Sequence, residues 1–171
     1  MRAVEVQWQA ATAAATQRIA TALGRLLQPG DLLVLTGGLG AGKTTFTQGL
    51  AVGLGVRGPI TSPTFVVARE HPSEVGGPPL VHVDAYRLGG ADELDDLDLD
   101  AELGSAVTVV EWGAGLAEAL SEDYLEILLD RDDGDAESVD PGAPDETPRT
   151  VTARGHGVRW AAAWPQVSAL T

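Results

Sequence analysis

The sequence predicts a three-layer α/β domain with a central, mainly parallel sheet and antiparallel edge strands. Two observations carry that prediction. Short apolar runs alternate with stretches whose apolar residues recur at helical spacing, the pattern of strands buried between helices. At one junction the run Asp31-Leu32-Leu33-Val34-Leu35-Thr36 passes through Gly37-Gly38-Leu39-Gly40-Ala41-Gly42-Lys43-Thr44 directly into a helical pattern. Those residues fit G-x-x-x-x-G-K-[ST], the loop that cradles nucleotide phosphates, so the expected fold is P-loop NTPase-like.

The elements follow in order. Ala3 to Trp8 alternates Val4, Val6 and Trp8 with Glu5 and Gln7, an edge strand with one buried face. Thr12 or Thr16 is placed to cap a helix whose stripe is Ile19, Leu23, Leu26 and Leu27, with Pro29-Gly30 ending it. Lys43 to Leu54 reads as a helix with Phe46, Leu50 and Leu54 on one face and Gly55 as its stop. Thr61-Ser62-Pro63-Thr64-Phe65 leads into a strand over Val66 to Arg69, Pro63 holding Ser62 extended. His71 to Pro79 is a Pro/Gly-rich connection. Leu80 to Asp84 and Ala106 to Val110 are buried strands that each run into a carboxylate, Asp84 and Glu111. Between them, acidic Ala91 to Leu103 has Leu94, Leu97 and Leu103 spaced for short helices. Leu116 to Leu120 reads as a helix and Tyr124 to Leu129 as a strand. Residues 130–146 carry eight acids and few apolar side chains, the composition of a mobile loop. Arg149 to Ala153 is the expected return strand of that hairpin. Arg159 to Leu170 is a tail segment, within 155–171, with Trp160 and Trp164 facing one way. The expectation is one domain over 1–171.

Bulk properties narrow the function. A formal net charge of −14 over 171 residues makes a surface that repels nucleic acid and anionic membranes. Cysteine is absent, which excludes disulfides, thiolate metal sites and thiol nucleophiles. No apolar stretch approaches the roughly 20 residues of a membrane span, and the first twenty residues lack a signal-peptide core. The expected location is the cytoplasm.

Of the 11 Lys and Arg residues, Lys43 is the only lysine. A compact ammonium suits the β/γ-phosphates better than a planar guanidinium does. In P-loop enzymes this lysine neutralises phosphate charge and the adjacent hydroxyl, here Thr44, ligates Mg2+. A carboxylate at a strand end completes the metal site or orients water, and Asp84 and Glu111 are both placed for it. Trp112 either stacks over the nucleotide or packs in the core. His82 reads as a core histidine, with a base as the alternative. Ser62 and Thr64 form either a γ-phosphate-sensing switch or a plain turn.

Four ordered motifs carry a family resemblance: G-x-L-G-A-G-K-T-T-F at Gly37–Phe46, S-P-T-F at Ser62–Phe65, H-x-D-x-Y-R at His82–Arg87, and E-W at Glu111–Trp112. From Thr16 to about Leu129 the chain resembles the TsaE family, the ATPases of bacterial tRNA threonylcarbamoyladenosine (t6A) synthesis. The resemblance implies ATP on Gly38, Leu39, Gly40, Ala41, Gly42, Lys43, Thr44 and Thr45, with Thr16, Trp112 and Arg149 close by. It implies Mg2+ on Thr44 and Glu111, and Asp84 beside the metal or the attacking water. Catalysis would then rest on Lys43, Asp84 and Glu111. Ser62–Phe65 would be a switch-like loop. Departures are Gly38 for the family's usual Asp, His71 for a Tyr, Asp98 for a Gly, and a longer, more acidic insert. Gly38 removes a loop carboxylate and leaves phosphate binding intact.

The implied function is an ATP hydrolase, slow alone, that resets a complex of TsaB and TsaD and reaches tRNA only through them. The alternatives are a small-molecule kinase, for which no arginine-bearing lid is evident, and a non-hydrolysing nucleotide switch.

Overall fold

The structure, a computed structural model, describes residues 3–38, 42–60, 68–85, 103–111, 120–131 and 148–170. Seven strands and three helices lie in these segments: β1 (Val4–Ala10), α1 (Ala13–Gly24), β2 (Leu32–Thr36), α2 (Lys43–Leu54), β3 (Ala68–His71), β4 (Leu80–Asp84), β5 (Val107–Glu111), β6 (Tyr124–Arg131), β7 (Arg149–His156) and α3 (Val158–Ser168). The strands form one sheet in the order β1-β7-β6-β2-β5-β4-β3. The central pairs β6–β2, β2–β5 and β5–β4 are parallel. The outer pairs β1–β7, β7–β6 and β4–β3 are antiparallel. This is the mixed sheet expected from the sequence.

Strand alternation divides the core. Leu33 and Leu35 of β2 face a cluster with Val107 and Val109 of β5, Leu125, Ile127 and Leu129 of β6, and Val151 and Ala153 of β7. The buried apolar side chains of all three helices belong to that cluster, including Leu23, Phe46, Leu50 and Trp160. Leu32 and Val34 point the other way, into a second cluster with Val81, Val83 and Val110. The helical patterns read at Ala91 to Leu103 and Leu116 to Leu120 lie almost entirely outside the described residues.

Several boundaries differ from the sequence reading. α1 ends at Gly24, well before Pro29-Gly30, because the amides of Arg25, Leu26 and Leu27 bond back to Thr21, Leu23 and Gly24 and close the helix in tight turns. Leu27 is buried and Leu26 packs against the same cluster, although both follow the helix. Thr12, not Thr16, is the N-cap: its Oγ1 accepts from the Ala15 amide at 3.1 Å. β3 extends to His71, which pairs with Leu80, so the connection starts one residue later than expected. β6 includes Asp130 and Arg131, paired with Thr150 and Arg149. Cross-strand bonding therefore claims two residues that composition had assigned to the acidic loop; 132–147 lie outside the described residues. Gly155 and His156 end β7 rather than begin the tail, and α3 packs on that strand.

Two devices dock the ends of the chain. Arg159 makes a two-pronged ion pair with buried Asp31, Nε–Oδ1 and Nη2–Oδ2 both 2.9 Å, and its Nη2 also donates to the Leu26 carbonyl. Trp8 Nε1 donates to the Leu170 carbonyl at 2.8 Å. Trp160 is fully buried, and a Cβ on Gly155 would lie 2.8 Å from its Cβ and 3.0 Å from the Trp164 ring.

The α1–α2 contact depends on glycine. A Cβ on Gly49 would stand 2.6 Å from the Gln17 carbonyl oxygen, and one on Gly24 equally close to that of Leu50. A Cβ on Gly53 would collide with the Thr21 carbonyl and lie 2.9 Å from Gly24 Cα. These contacts advance along both helices together, so α1 and α2 run in the same direction. Helix propensity alone would favour alanine at Gly53 by about 1 kcal/mol. Backbone cannot yield as a side-chain tip can, so the collision outweighs that gain. Gly53→Ala is expected to destabilise the fold by about 1–3 kcal/mol, read as a melting temperature several degrees lower; an unchanged or higher value would show that the helices can separate at no cost.

Candidate functional site

Parallel strands end at one edge, and the side chains of their last residues set the site. β2 delivers the chain at Thr36 to the glycine loop, and α2 begins at Lys43 after Gly42. Gly42 has φ +103° and ψ 21°, a left-handed conformation that favours glycine, and it turns the chain into the helix without a side-chain cap. The first amides of α2 therefore point out of the loop end, the arrangement that binds an anion.

Lys43 is buried in this loop, its Nζ donating to the carbonyls of Gly37 at 2.8 Å and Gly38 at 3.1 Å. Burial lowers its pKa from 10.5, while Glu111 and then Asp84 oppose that shift. The ammonium and the two carboxylates thus share one desolvated space. Register explains why: Asp84 pairs directly with Glu111, and Glu111 with Leu35, the residue before Thr36. Asp84 alternates with Leu80, and Glu111 with Val107 and Val109, so both acids lie on the face that α2 covers. Both are buried. Thr44 and Thr45, half-buried, open α2 beside them.

Behind Glu111 stands His82, fully buried, with Nε2 3.2 Å from Glu111 Oε1. The contact lacks hydrogen-bond geometry: Glu111 Oε1 and both ring nitrogens of His82 are buried atoms without a hydrogen-bond partner. His82 is the core histidine of the sequence reading, now placed against the carboxylate. A buried anionic oxygen with an open acceptor position fits a cation. No group of three or more His, Asp or Glu among the described residues could hold a metal by itself. Mg2+ would therefore need Thr44 and phosphate oxygens besides the acids, and this residue set suits that ion.

The opposite flank is basic. Arg149 is buried, and its Nε lies 3.8 Å from where a Cβ on Gly42 would stand. Arg149 thus stands at the loop although 106 positions separate it from Lys43 in the sequence. Arg131 sits directly across from it in the β6–β7 pairing. The sequence reading missed Arg131 because it ended the strand at Leu129. The available signal was alternation, since Leu125, Ile127, Leu129 and Arg131 fall on one face. Thr16 is buried in α1, its Oγ1 3.4 Å from the Thr12 carbonyl oxygen. Carrying the α1–α2 contacts back one turn sets Thr16 towards the start of α2. Gly38 is exposed and contributes its carbonyl. Leu39, Gly40, Ala41, Trp112, Ser62–Phe65 and Tyr86-Arg87 lie outside the described residues.

His71, on β3, shares the site face through the pairings Arg69–His82 and His71–Leu80. Burial, then the neighbouring His82, lowers its pKa from 6.5; a backbone hydrogen bond at Arg57 opposes this and Arg69 adds to it. The folded state therefore resists protonation that the unfolded chain accepts. Stability from His71 is fully present above its unfolded pKa of 6.5 and declines as pH falls from there towards the folded value. Thermal unfolding of wild type and His71→Leu between neutral pH and pH 5 is expected to show a shallower acid-side loss in the variant. Parallel profiles would remove His71 as the source.

Comparison with known proteins gives a consistent result. A family model described as "Threonylcarbamoyl adenosine biosynthesis protein TsaE" matches residues 10–139. A Streptomyces coelicolor protein named tRNA threonylcarbamoyladenosine biosynthesis protein TsaE is 59% identical over 142 residues, covering 82% of this chain and 90% of that one. The Bacillus subtilis protein of the same name is 39% identical over 136 residues, covering 79% and 84%. The crystal structure of Bacillus subtilis YdiB superimposes with a TM-score of 0.73 at 32% identity, covering 98% of this chain and 97% of that one. No helix among the described residues is long and apolar enough to cross a membrane.

Proposed function

The chain belongs to the TsaE family of t6A biosynthesis proteins, and from that premise we propose that it is a Mg2+-dependent ATPase acting on the TsaB–TsaD complex in tRNA t6A37 modification. The observation that carries the reading is the convergence of Lys43, Asp84 and Glu111 in one buried space at the mouth of the loop. Like charges alone would not be kept together there. A lysine and two carboxylates suit a phosphate chain and its metal taken together.

Each residue has a distinct task. Lys43 supplies a fixed positive charge to the β/γ-phosphates, and the amides at the start of α2 supply oriented dipoles. Thr44 offers a hydroxyl to the metal. Mg2+, when bound, would neutralise developing phosphate charge. Glu111, held against His82, is the first candidate for the metal, and Asp84 beside it for the attacking water. The register of β4 and β5 keeps the two acids at a constant separation, so water and metal sites are set by backbone rather than by side-chain search. Arg149 would neutralise charge on the other flank. The chain's acidity bears on its partners. Without clustered Lys/Arg, phosphate contacts to tRNA are few, so access to tRNA would come through TsaB and TsaD. Both the cytoplasmic location and the single domain over 1–171 belong to this proposal.

Phosphate release from ATP and Mg2+, with and without TsaB–TsaD, tests it. Release should be slow alone and rise with the partners. Glu111→Gln should bind ATP but release phosphate about a hundredfold more slowly. Phosphate transfer to a metabolite would point to a kinase. Binding with no release under any condition would point to a passive switch. Loss of turnover in Asp84→Asn but not in Glu111→Gln would exchange the two acids' roles.

A further inference from the structure

We propose that His82 positions the metal-binding carboxylate: its Nε2–H holds Oε1 of Glu111, so that the group meets Mg2+ already oriented; this rests on the Mg2+–nucleotide reading above. Register sets where Glu111 stands but leaves its carboxylate free to turn about the last side-chain bond. A contact to one oxygen removes that freedom, and the β4–β5 ladder supplies it. His82 pairs with Val109 and Asp84 with Glu111, all on the helix-covered face. His82 therefore lies diagonally across from Glu111, one step back along β4. The ring spans that diagonal and ends with Nε2 3.2 Å from Oε1. It is fully buried, and β3 and β5 pair with β4 on either side. The donor is thus nearly as fixed as the backbone that carries it.

Chemistry assigns the proton. A neutral imidazole has one N–H, and an ionised carboxylate can only accept. With Oε1 beside Nε2, Nε2 is the donor and Nδ1 the acceptor. The pair falls short of hydrogen-bond geometry, and catalytic hydrogen bonds tighten when ligand fills the site. A carboxylate has about four acceptor sites, so one bond at Oε1 leaves Glu111 able to hold a cation. Packing alone does not account for the histidine. Leu80 precedes it on that face and Val109 lies opposite, both fully buried. A leucine would fill such a position without polar atoms, whereas burying two unbonded ring nitrogens is costly. Glu111 also has need of a hold. Asp84 stands directly across from it, and two carboxylates so placed repel. The one lysine attracts both. A neutral donor reaching Glu111 makes the two acids unequal and gives one of them a fixed orientation for the metal. Partners that hydrogen-bond a metal ligand raise its affinity for the ion in this way.

The test is calorimetric titration of a non-hydrolysable ATP analogue into wild type, His82→Leu, His82→Gln and Lys43→Ala, each with Mg2+ and with EDTA. Leucine removes the donor at similar volume, and glutamine restores one near the position of Nε2. Binding to wild type should be tighter with Mg2+ than with EDTA. In His82→Leu that gain should shrink about tenfold or more, with the affinity in EDTA unchanged. His82→Gln should recover much of it. A purely structural role would weaken binding equally with and without the ion, and an amide would not rescue it. If His82→Leu fails to fold, His82→Asn takes its place, because its shorter amide reaches the position of Nδ1 and not that of Nε2. An undiminished Mg2+ gain in the folded variant, an equal loss under both conditions, or no recovery in His82→Gln would overturn the proposal. Wild-type affinity in Lys43→Ala would instead overturn the nucleotide reading, and no Mg2+ gain in wild type the metal reading, each taking the proposal with it.

Discussion

The parallel register of β2 against β5 and β6 sets where every charged group of the site stands. Leu35 is paired with Glu111 on one side and Ile127 on the other. Asp84 is tied to Glu111 by the next parallel pair. A slip of one residue in any of these pairings would turn an entire set of side chains to the opposite face. Leu33, Leu35, Val107 and Val109 would then exchange places with Leu32, Val34 and Val110 between two differently filled clusters. The packing of each face, more than burial as such, thus favours this register, and the register in turn places the acids. The backbones of the two carboxylate residues need no separate device to hold them in place.

A second constraint follows from the first. Lys43 and the two carboxylates are buried, and desolvation disfavours charge on the ammonium. Their mutual attraction counters that cost, and the carbonyls of Gly37 and Gly38 add hydrogen bonds to the ammonium. α2 must then be fixed closely enough to keep Lys43 over the strand ends. The glycine contacts to α1 do this: Gly24, Gly49 and Gly53 let the two backbones touch, so α2 is located by backbone rather than by flexible side chains. Stability of the helix pair and geometry of the site are therefore linked.

Much of this was legible from sequence. The loop, the helix Lys43–Leu54 with Gly55 as its left-handed cap, and the two strands running into Asp84 and Glu111 were readable because each has a local signature. Long-range pairing was less accessible. Alternation past Leu129 is the one local sign that Arg131 belongs to β6, and its partner Arg149 lies across a long acid-rich segment. Composition does not show that Gly49 and Gly53 are contact residues, because glycine in a helix ordinarily signals a weak spot. Asp31 likewise read as the start of a strand, whereas its carboxylate anchors α3 through Arg159. In each case the missing information was a neighbour distant in sequence.

The proposed function stands on one physical claim, that the loop and its buried charges form a site for the phosphates of a nucleotide. Calorimetric titration of the wild-type protein with ATP and with adenosine, each in Mg2+, tests it most directly. ATP should bind measurably and adenosine far more weakly, because the affinity resides in Lys43, the α2 amides and the flanking charges. Equal affinity for the two, or binding of neither, would contradict it.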